Sequence, residues 1–270
     1  MLRFVIVAVC VAAFAGAQVA QPPMPIFIAG LKRSVVPVLT HDSTWALGVV
    51  HQGTAVLIGD TASKTSFALT CAHVVAAGVD ANGLPAKPAS SVTLGLPRID
   101  GSTFLMPAQV VYFDAQNDMA LCQPAREMLP QQYRRIGIAQ TVVPTSQWKG
   151  MSDVHEGDQL LCIGLPVSKG SGGRSYPLSR TSIVSQVVPG QGWFVMDGFV
   201  QHGNSGSPVF LLKQEGDSIP LVWTWSLVGI ARSFAPTDSL LAEANPGFTY
   251  VTALENLFPE LSKLGLHPMK

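Results

Sequence analysis

A serine set among small residues is the part of this sequence best suited to nucleophilic chemistry. Ser205 lies in the stretch 203–208 (GNSGSP), directly before the apolar pair 209–210. Glycine adopts backbone angles that other residues avoid, so the N–H of Gly203 can point the same way as that of Ser205. Two converging N–H groups would bind the oxyanion of a tetrahedral intermediate. The alternative is an ordinary turn before a strand, for which Gly, Asn, Ser and Pro are equally typical.

Two further residues, a histidine and an aspartate, could activate this serine. His73 follows an apolar run ending at 70–72 (TCA), and Asp118 precedes the apolar stretch 119–121 (MAL). A serine hydroxyl is too weakly acidic to attack a carbonyl unaided, so an imidazole must take its proton and later deliver it to the leaving group. A carboxylate must hold that imidazole in the right tautomer and stabilise its cation. The sequence therefore predicts His73 as the base, Asp118 as the residue that orients it and Ser205 as the nucleophile.

Taken alone, each of these residues has a simpler interpretation. An isolated histidine is more often structural than catalytic, and Asp118 has the surroundings of a turn residue, with Asp114 as the nearest rival for its role. The ordered set favours catalysis. An α/β-hydrolase is disfavoured, because Ser207 stands where a nucleophile elbow has glycine and because that fold orders its triad Ser, Asp, His.

The composition excludes several other classes of function. The 270 residues include 17 Lys+Arg and 17 Asp+Glu, without a basic cluster or an acidic tail, so we expect no nucleic-acid partner. No CxxC or His/Cys spacing indicates zinc, and we expect neither a metal nor an organic cofactor. Cys71, Cys122 and Cys162 lie in apolar stretches typical of buried free thiols, with one disulfide and one free thiol as the alternative.

The N-terminal segment has the features of a secretory signal. A charged start at 1–3, an apolar run over 4–15 and a small-x-small site at 15–17 (AGA) follow one another. The run is too short to span a bilayer as a permanent helix. We predict a signal peptide over 1–17, export to the periplasm or secretion, and no membrane association after its removal; a retained anchor is the alternative. The proline-rich segment 18–34 is predicted to be an extended linker.

Short β-strands are predicted for most of the remaining chain. From about Val35, runs of Val, Ile, Leu, Phe and Thr recur between turn-forming residues, a spacing typical of barrels or sandwiches. Only the end is helical: Thr252 is a predicted N-cap with Glu255 three residues on, and leucines recur at helical spacing from Leu254 to Leu264. The predicted strands are 46–50, 54–58, 66–70, 91–96, 103–112, 119–122, 159–163, 181–188, 193–196, 209–212, 221–231 and 248–251.

These motifs, in this order, resemble those of chymotrypsin-like serine peptidases, and among them the bacterial HtrA-like, trypsin-2 type. The resemblance spans roughly 54–251 and implies an all-β fold of two six-stranded antiparallel β-barrels, at 35–135 and 136–270, with the triad in the cleft between them. It also implies that Gly203 and Ser205 supply the oxyanion-hole N–H groups. The matching segments are 53–58 (GTAVLI), 67–75 around His73, 118–121 (DMAL), 164–166 (GLP), 183–185 (IVS), 197–208 around Ser205 and 227–230 (LVGI).

The function that the resemblance implies is that of an exported serine endopeptidase, cleaving a protein or peptide substrate through an acyl-enzyme with His73, Asp118 and Ser205. The alternatives are a non-catalytic binding module on the same fold and an esterase. Asn204 stands where zymogen-activated trypsins have an aspartate, so we expect no activation by insertion of a new N-terminus. We expect no PDZ domain, and the oligomeric state is not implied.

The substrate pocket is predicted from the same resemblance. An ungapped alignment back from Ser205 places Phe199 at the base of the pocket, where trypsin has its aspartate. Ser233, Phe234 and Gly247 would line the walls. Without a carboxylate there, we expect a preference for a small or medium apolar side chain; the alternative is that the two phenylalanines are core residues. The stretch 169–175 (KGSGGRS) falls where HtrA proteases carry an activation loop, or is a solvated surface loop.

Overall fold

Two closed β-barrels contain most of the described chain. The computed structural model describes residues 24–41, 49–60, 65–81, 83–125, 137–138, 140–166, 176–198, 201–215, 222–233 and 247–267. The predicted signal peptide lies outside the described residues. The predicted all-β architecture of two six-stranded antiparallel barrels is confirmed, and the extent of each domain stays a prediction.

The first barrel is built from six antiparallel strands. They are β1 (Val35–His41), β2 (Val49–Asp60), β3 (Thr65–Thr70), β4 (Val92–Pro97), β5 (Thr103–Asp114) and β6 (Met119–Pro124). Their order is β1-β4-β5-β6-β3-β2, and pairing of β1 with β2 closes the barrel. In β5, Met106 is buried and its neighbour Leu105 is exposed, as expected for a strand with one face toward a barrel interior. A short strand, β7 (Val143–Pro144), pairs in parallel with β2.

The second barrel also has six strands and is closed. They are β8 (Gln159–Gly164), β9 (Leu178–Val187), β10 (Trp193–Asp197), β11 (Pro208–Glu215), β12 (Val222–Ser233) and β13 (Phe248–Ala253). The order around the barrel is β10-β13-β12-β11-β8-β9, with every pair antiparallel. Four 3₁₀ helices connect elements within the described ranges: Ala72–Val75, Thr145–Gln147, Met151–Asp153 and Leu254–Leu257.

Part of the segment predicted to be an extended linker is instead helical. Helix α1 covers Met24–Lys32, and Leu31 is buried in the core of the first barrel. The prediction rested on the prolines of 22–25, but Pro25 lies in the first turn, where its missing N–H removes no intrahelical bond.

The predicted short C-terminal helix is present as α2 (Phe258–Lys263), after the 3₁₀ helix Leu254–Leu257. The predicted cap is wrong. Thr252 lies in β13, and the Glu255 carboxylate accepts the backbone N–H of Met151 at 2.8 Å instead of completing a capping box. A strand continues through the predicted cap because the barrel needs Thr252 to pair with β10 and β12.

The two barrels share apolar contacts where they meet. The larger cluster of buried side chains fills the first barrel and includes Phe210, Leu227 and Ile230 of the second barrel. A smaller cluster that contains Phe194 and Val251 lies in the second barrel. This shared core fixes how the loops of one barrel face those of the other.

No helix among the described residues combines the length and apolar character needed to cross a bilayer.

Candidate active site

His73 and Asp118 form a hydrogen-bonded pair at one end of the first barrel. His73 lies in the 3₁₀ helix Ala72–Val75, and its Nδ1 is 2.8 Å from Oδ2 of Asp118. The other carboxylate oxygen accepts the backbone N–H of His73 at 2.9 Å. The Asp118 side chain is 6% exposed, whereas that of His73 is 38% exposed. Because an ionised carboxylate only accepts hydrogen bonds, Nδ1 carries the proton and Nε2 of the neutral ring is left as the base.

The turn before β6 presents Asp118 in a left-handed backbone conformation. Its φ of 52° is the only positive value at a non-glycine residue in the described ranges, and aspartate tolerates this region better than most residues. Asp114, the predicted rival, closes the turn: its carboxylate accepts the backbone N–H groups of Gln116 and Asn117, each at 3.0 Å. The Thr252 hydroxyl donates to the Asn117 carbonyl at 3.0 Å, which ties this turn to the second barrel.

Ser205 lies on a tight turn that leads into β11. Gly203 and Gly206 have φ values of 89° and 85°, so the turn needs glycine at both places. Ser205 is partly exposed, whereas Gly203, Asn204, Gly206 and Ser207 are buried. The backbone therefore brings the serine to the surface of the molecule while its neighbours pack inside.

Two N–H groups of this turn have no hydrogen-bond acceptor among the described residues. The N–H groups of Asn204 and Gly206 donate to carbonyl oxygens of the protein, at 3.0 and 2.8 Å. The N–H groups of Gly203 and Ser205, by contrast, donate to no other residue that the structure describes. They are the two donors that the sequence predicts for an oxyanion hole.

Thr54 of β2 anchors the serine turn to the first barrel. Thr54 is fully buried; its N–H donates to the Ser205 carbonyl at 2.8 Å and its hydroxyl donates to the Gly203 carbonyl at 2.6 Å. The same hydroxyl accepts the N–H of Leu165 at 3.0 Å, and the Thr54 carbonyl accepts the Thr70 hydroxyl at 2.7 Å. The sequence does not predict this role of Thr54, because its local pattern indicates only a strand and its hydrogen-bond partners are distant along the chain.

The serine turn packs directly on the segment that leads to His73. A Cβ added to Gly206 would strike the Thr54 carbonyl and the Thr70 hydroxyl, and would lie 3.2 Å from the Cys71 nitrogen. A Cβ at Gly53 would lie 2.9 Å from the Ser205 carbonyl oxygen. The structure thus brings together the elements that carry the three predicted triad residues, although these residues are far apart in the sequence.

Gly164, at the end of β8, supports the serine turn from the other side. A Cβ at this position would strike the side-chain oxygens of Asn204 and Ser207. Ser207 is fully buried, and its hydroxyl has no hydrogen-bond partner among the described residues. The side chain of Ser207 is therefore accommodated by a glycine at the end of the neighbouring strand β8.

An arginine that the sequence gives no reason to single out lies beside Asp118. Arg232 is near the end of β12, and its Nε is 3.6 Å from Oδ2 of Asp118. Its side chain is 31% exposed. The buried carboxylate therefore has one cationic partner from the second barrel in addition to the imidazole of His73.

The thiol of Cys71 is the third polar group near this carboxylate. It donates to the Ala231 carbonyl at 3.3 Å. Burial, and secondly the charge of Asp118, raise the pKa of Cys71 well above its ordinary value, so the thiol stays protonated. Cys71, His73 and Asp118 offer side-chain ligand atoms within 4.8 Å of one another. A metal ion would need the disfavoured thiolate and would displace the contact between His73 and Asp118, so the group fits a metal poorly.

The structure describes two of the four residues of the predicted substrate pocket, and the pocket stays a prediction. Phe199 and Phe234 lie outside the described residues, as does the stretch 169–175. Ser233 ends β12, where it pairs with Tyr250 of β13. Gly247 precedes β13, and its carbonyl accepts the N–H of Gly198 at 2.8 Å. The preference for apolar side chains stays a prediction.

The chain belongs to the trypsin-like peptidases. The family model described as "Trypsin-like peptidase domain" matches residues 53–219, more than half of the chain, and this range contains the three predicted triad residues. The predicted family is confirmed. A comparison with curated protein sequences gave no match.

Solved structures of HtrA-type proteases share the fold. The protease domain of MamO from Magnetospirillum magneticum, in its apo form, superposes with a TM-score of 0.55 at 14% identity, covering 87% of this chain and 98% of that one. The HtrA-type protease AlgW, solved with a decapeptide, gives a TM-score of 0.55 at 15% identity and covers 88% of this chain and 66% of its own. At these identities the likeness establishes the fold alone.

Proposed function

We propose that the protein is an exported serine endopeptidase in which Ser205, His73 and Asp118 form the catalytic triad. The observation that carries the proposal is the double contact of one buried carboxylate with His73, to the ring Nδ1 at 2.8 Å and to the backbone N–H at 2.9 Å. This contact fixes both the tautomer and the orientation of the imidazole, which is what a serine nucleophile requires of its base. Membership of the trypsin-like peptidases supports the same reaction class.

The reaction proceeds through an acyl-enzyme. Ser205 Oγ attacks the carbonyl carbon of the peptide bond while Nε2 of His73 takes the hydroxyl proton. The N–H groups of Gly203 and Ser205 bind the oxygen that becomes negative in the tetrahedral intermediate. His73 then gives its proton to the leaving amine, and a water activated by the same ring hydrolyses the ester. Asp118 stays ionised throughout and stabilises the imidazolium.

The substrate is a protein or peptide, and export follows from the secretory signal predicted over 1–17. AlgW, a protein of the same fold, is described with a bound decapeptide, which supports a peptide ligand for this chain as well. The side chain of Asn204 is neutral, so it cannot form an ion pair with a newly cut N-terminus. We therefore expect the chain that starts at Gln18 to be active without further cleavage.

A fluorophosphonate probe tests the nucleophile. The chain from Gln18 onward is treated with the probe beside Ser205→Ala and beside Ser207→Ala, which removes a neighbouring serine hydroxyl that has no hydrogen-bond partner among the described residues. We expect labelling of the parent chain and of Ser207→Ala, and none of Ser205→Ala. Absence of labelling from all three would favour the non-catalytic binding module. Casein digestion with mass spectrometry of the cut sites, beside hydrolysis of a simple ester, separates a peptidase from an esterase.

A further inference from the structure

Arg232 and His73 flank the same oxygen of Asp118. Oδ2 of Asp118 lies 2.8 Å from Nδ1 of His73 and 3.6 Å from Nε of Arg232. The carboxylate side chain is only 6% exposed, whereas the side chains of His73 and Arg232 are 38% and 31% exposed. One buried negative charge therefore has a permanent cation on one side and a titratable ring on the other.

The backbone beside Arg232 is held by the serine turn. The preceding residue, Ala231, accepts the N–H of Gly206 at 2.8 Å and the thiol of Cys71 at 3.3 Å, and it donates its own N–H to the Ser207 carbonyl at 2.8 Å. Two of these bonds fix the end of β12 against the turn that carries Ser205, and the third ties it to the segment that precedes His73. The guanidinium is thus attached to a rigid part of the site and not to a loose surface segment.

Few charged groups act on the ring of His73. The described titratable groups that face it are Asp118, the thiol of Cys71, and Arg232 across the carboxylate. The thiol is neutral, because burial raises the pKa of Cys71. The Asp114 carboxylate accepts hydrogen bonds from the backbone N–H and from the side-chain amide of Asn117, within its own turn. Among the charged groups of the described residues, Asp118 and Arg232 are therefore the two whose contacts bear directly on His73.

We propose that Arg232 is a positioning residue for the triad, which holds Asp118 by an ion pair and extends to lower pH the range in which His73 is a free base. A carboxylate favours the protonated ring beside it, and a guanidinium on the same oxygen offsets part of that attraction. This inference rests on the proposed function.

Two variants separate the charge of Arg232 from its packing. Arg232→Met keeps a long apolar stem without the charge, and Arg232→Lys keeps the charge. The ring of His73 is titrated by NMR in each full-length chain, with its signal assigned by its loss in His73→Gln. We expect the midpoint of the His73 titration to be higher in Arg232→Met than in the parent chain by about half a pH unit to one unit. This is the size expected for the loss of a Coulomb interaction across a partly exposed site. The midpoint of the His73 titration in Arg232→Lys should shift by less than half as much.

Kinetics give a second readout. On the acidic side of the profile, the pH at which kcat/KM falls to half should be higher in Arg232→Met, by the same amount as the midpoint of the NMR titration. Added salt should reduce this difference from the parent chain. Identical titrations of the parent and Arg232→Met would overturn the inference, and so would equal shifts in the Met and Lys variants. Arg232→Gln replaces the Met variant if that one does not fold.

The two proposals fail in different ways. If the parent chain is not labelled by a fluorophosphonate, the peptidase assignment fails, whereas the NMR titration still reports whether Arg232 acts on His73. If labelling and proteolysis are observed and the titration does not respond to the loss of the guanidinium, only the role of Arg232 is refuted.

Discussion

At the scale of single residues, the pairing of Asp118 with His73 decides whether the site can perform acyl transfer. The carboxylate contacts the ring and the backbone N–H of His73, and its own backbone adopts a φ of 52° to do so. Asp114, four residues earlier, is a less buried carboxylate that accepts hydrogen bonds from its own turn and from the Tyr112 hydroxyl. A substitution at Asp118 therefore tests the contact with His73, and the same substitution at Asp114 is its control.

Asp118→Asn should lower kcat by about 10⁴-fold, because an amide in this place can hold the wrong tautomer of the ring. Asp114→Asn should change kcat by less than about tenfold, since it leaves the contact with His73 intact. Both are measured by steady-state proteolysis of a peptide substrate at pH 8. An equal loss in the two variants would mean that the turn, and not the charge beside His73, limits the activity.

Thr54→Val should destabilise the protein by about 2–4 kcal/mol, because the Gly203 carbonyl and the Leu165 N–H each lose a buried partner. The rate of fluorophosphonate labelling of Ser205 should fall as well, since the serine turn loses its anchor. Urea denaturation measures the first effect and timed labelling the second. Thr54→Ser keeps the hydroxyl and is the matched control, expected to retain most of the labelling rate.

At the scale of elements, short apolar runs between turn-forming residues predict most of the strands, whereas the double barrel is implied by the resemblance to chymotrypsin-like peptidases. The strand list does not include β1, which closes the first barrel against β2, nor β7, which pairs with β2 through only two residues, and the sequence does not predict the helix α1. The cap assigned to Thr252 is wrong because the closure of a barrel outweighs a local capping pattern. The residue types and order of the predicted triad come from the sequence, whereas Thr54 and Arg232 contact partners distant in sequence, which no local pattern encodes.

Gly164→Ala should reduce activity by about tenfold or more, because the new methyl group strikes Asn204 and Ser207 on either side of the nucleophile. The effect should appear in labelling of Ser205 more strongly than in the unfolding midpoint. Gly30→Ala is the control: nothing lies within 4 Å of its added Cβ, and the position is within α1, where alanine is favoured. Full activity in Gly164→Ala would contradict this prediction, and would mean that the serine turn shifts to accommodate the methyl group.

At the scale of the whole molecule, the barrels protect groups that would otherwise ionise in alkaline solution. Cys71, Cys122 and Cys162 are buried free thiols, as the sequence predicts. Burial raises the pKa of Cys122 and of Cys162 to about 12, and burial together with Asp114 raises the pKa of Tyr112 to about 12. In the unfolded chain these groups ionise nearer their ordinary values of 9.0 and 10.0.

The stability of the fold should therefore fall as the pH rises from about 9 to about 12. A group whose pKa is higher in the folded state contributes stability that is complete below its unfolded pKa and is lost through its folded pKa. Urea denaturation across this range measures the loss, and Cys122→Ala with Cys162→Ala should make the pH dependence shallower. A midpoint that is constant up to pH 11 would contradict the prediction.

The pairing that closes the second barrel has a consequence for the turn that carries Asp118. The last strand, β13, pairs with both β10 and β12, and its Thr252 also ties down the turn that presents Asp118. Without this final strand, β10 and β12 would each lose a pairing partner, and the Asn117 carbonyl would lose the Thr252 hydroxyl. Because Asn117 and Thr252 are 135 residues apart in the sequence, the contact between Asp118 and His73 in the first barrel depends on the strand that completes the second barrel.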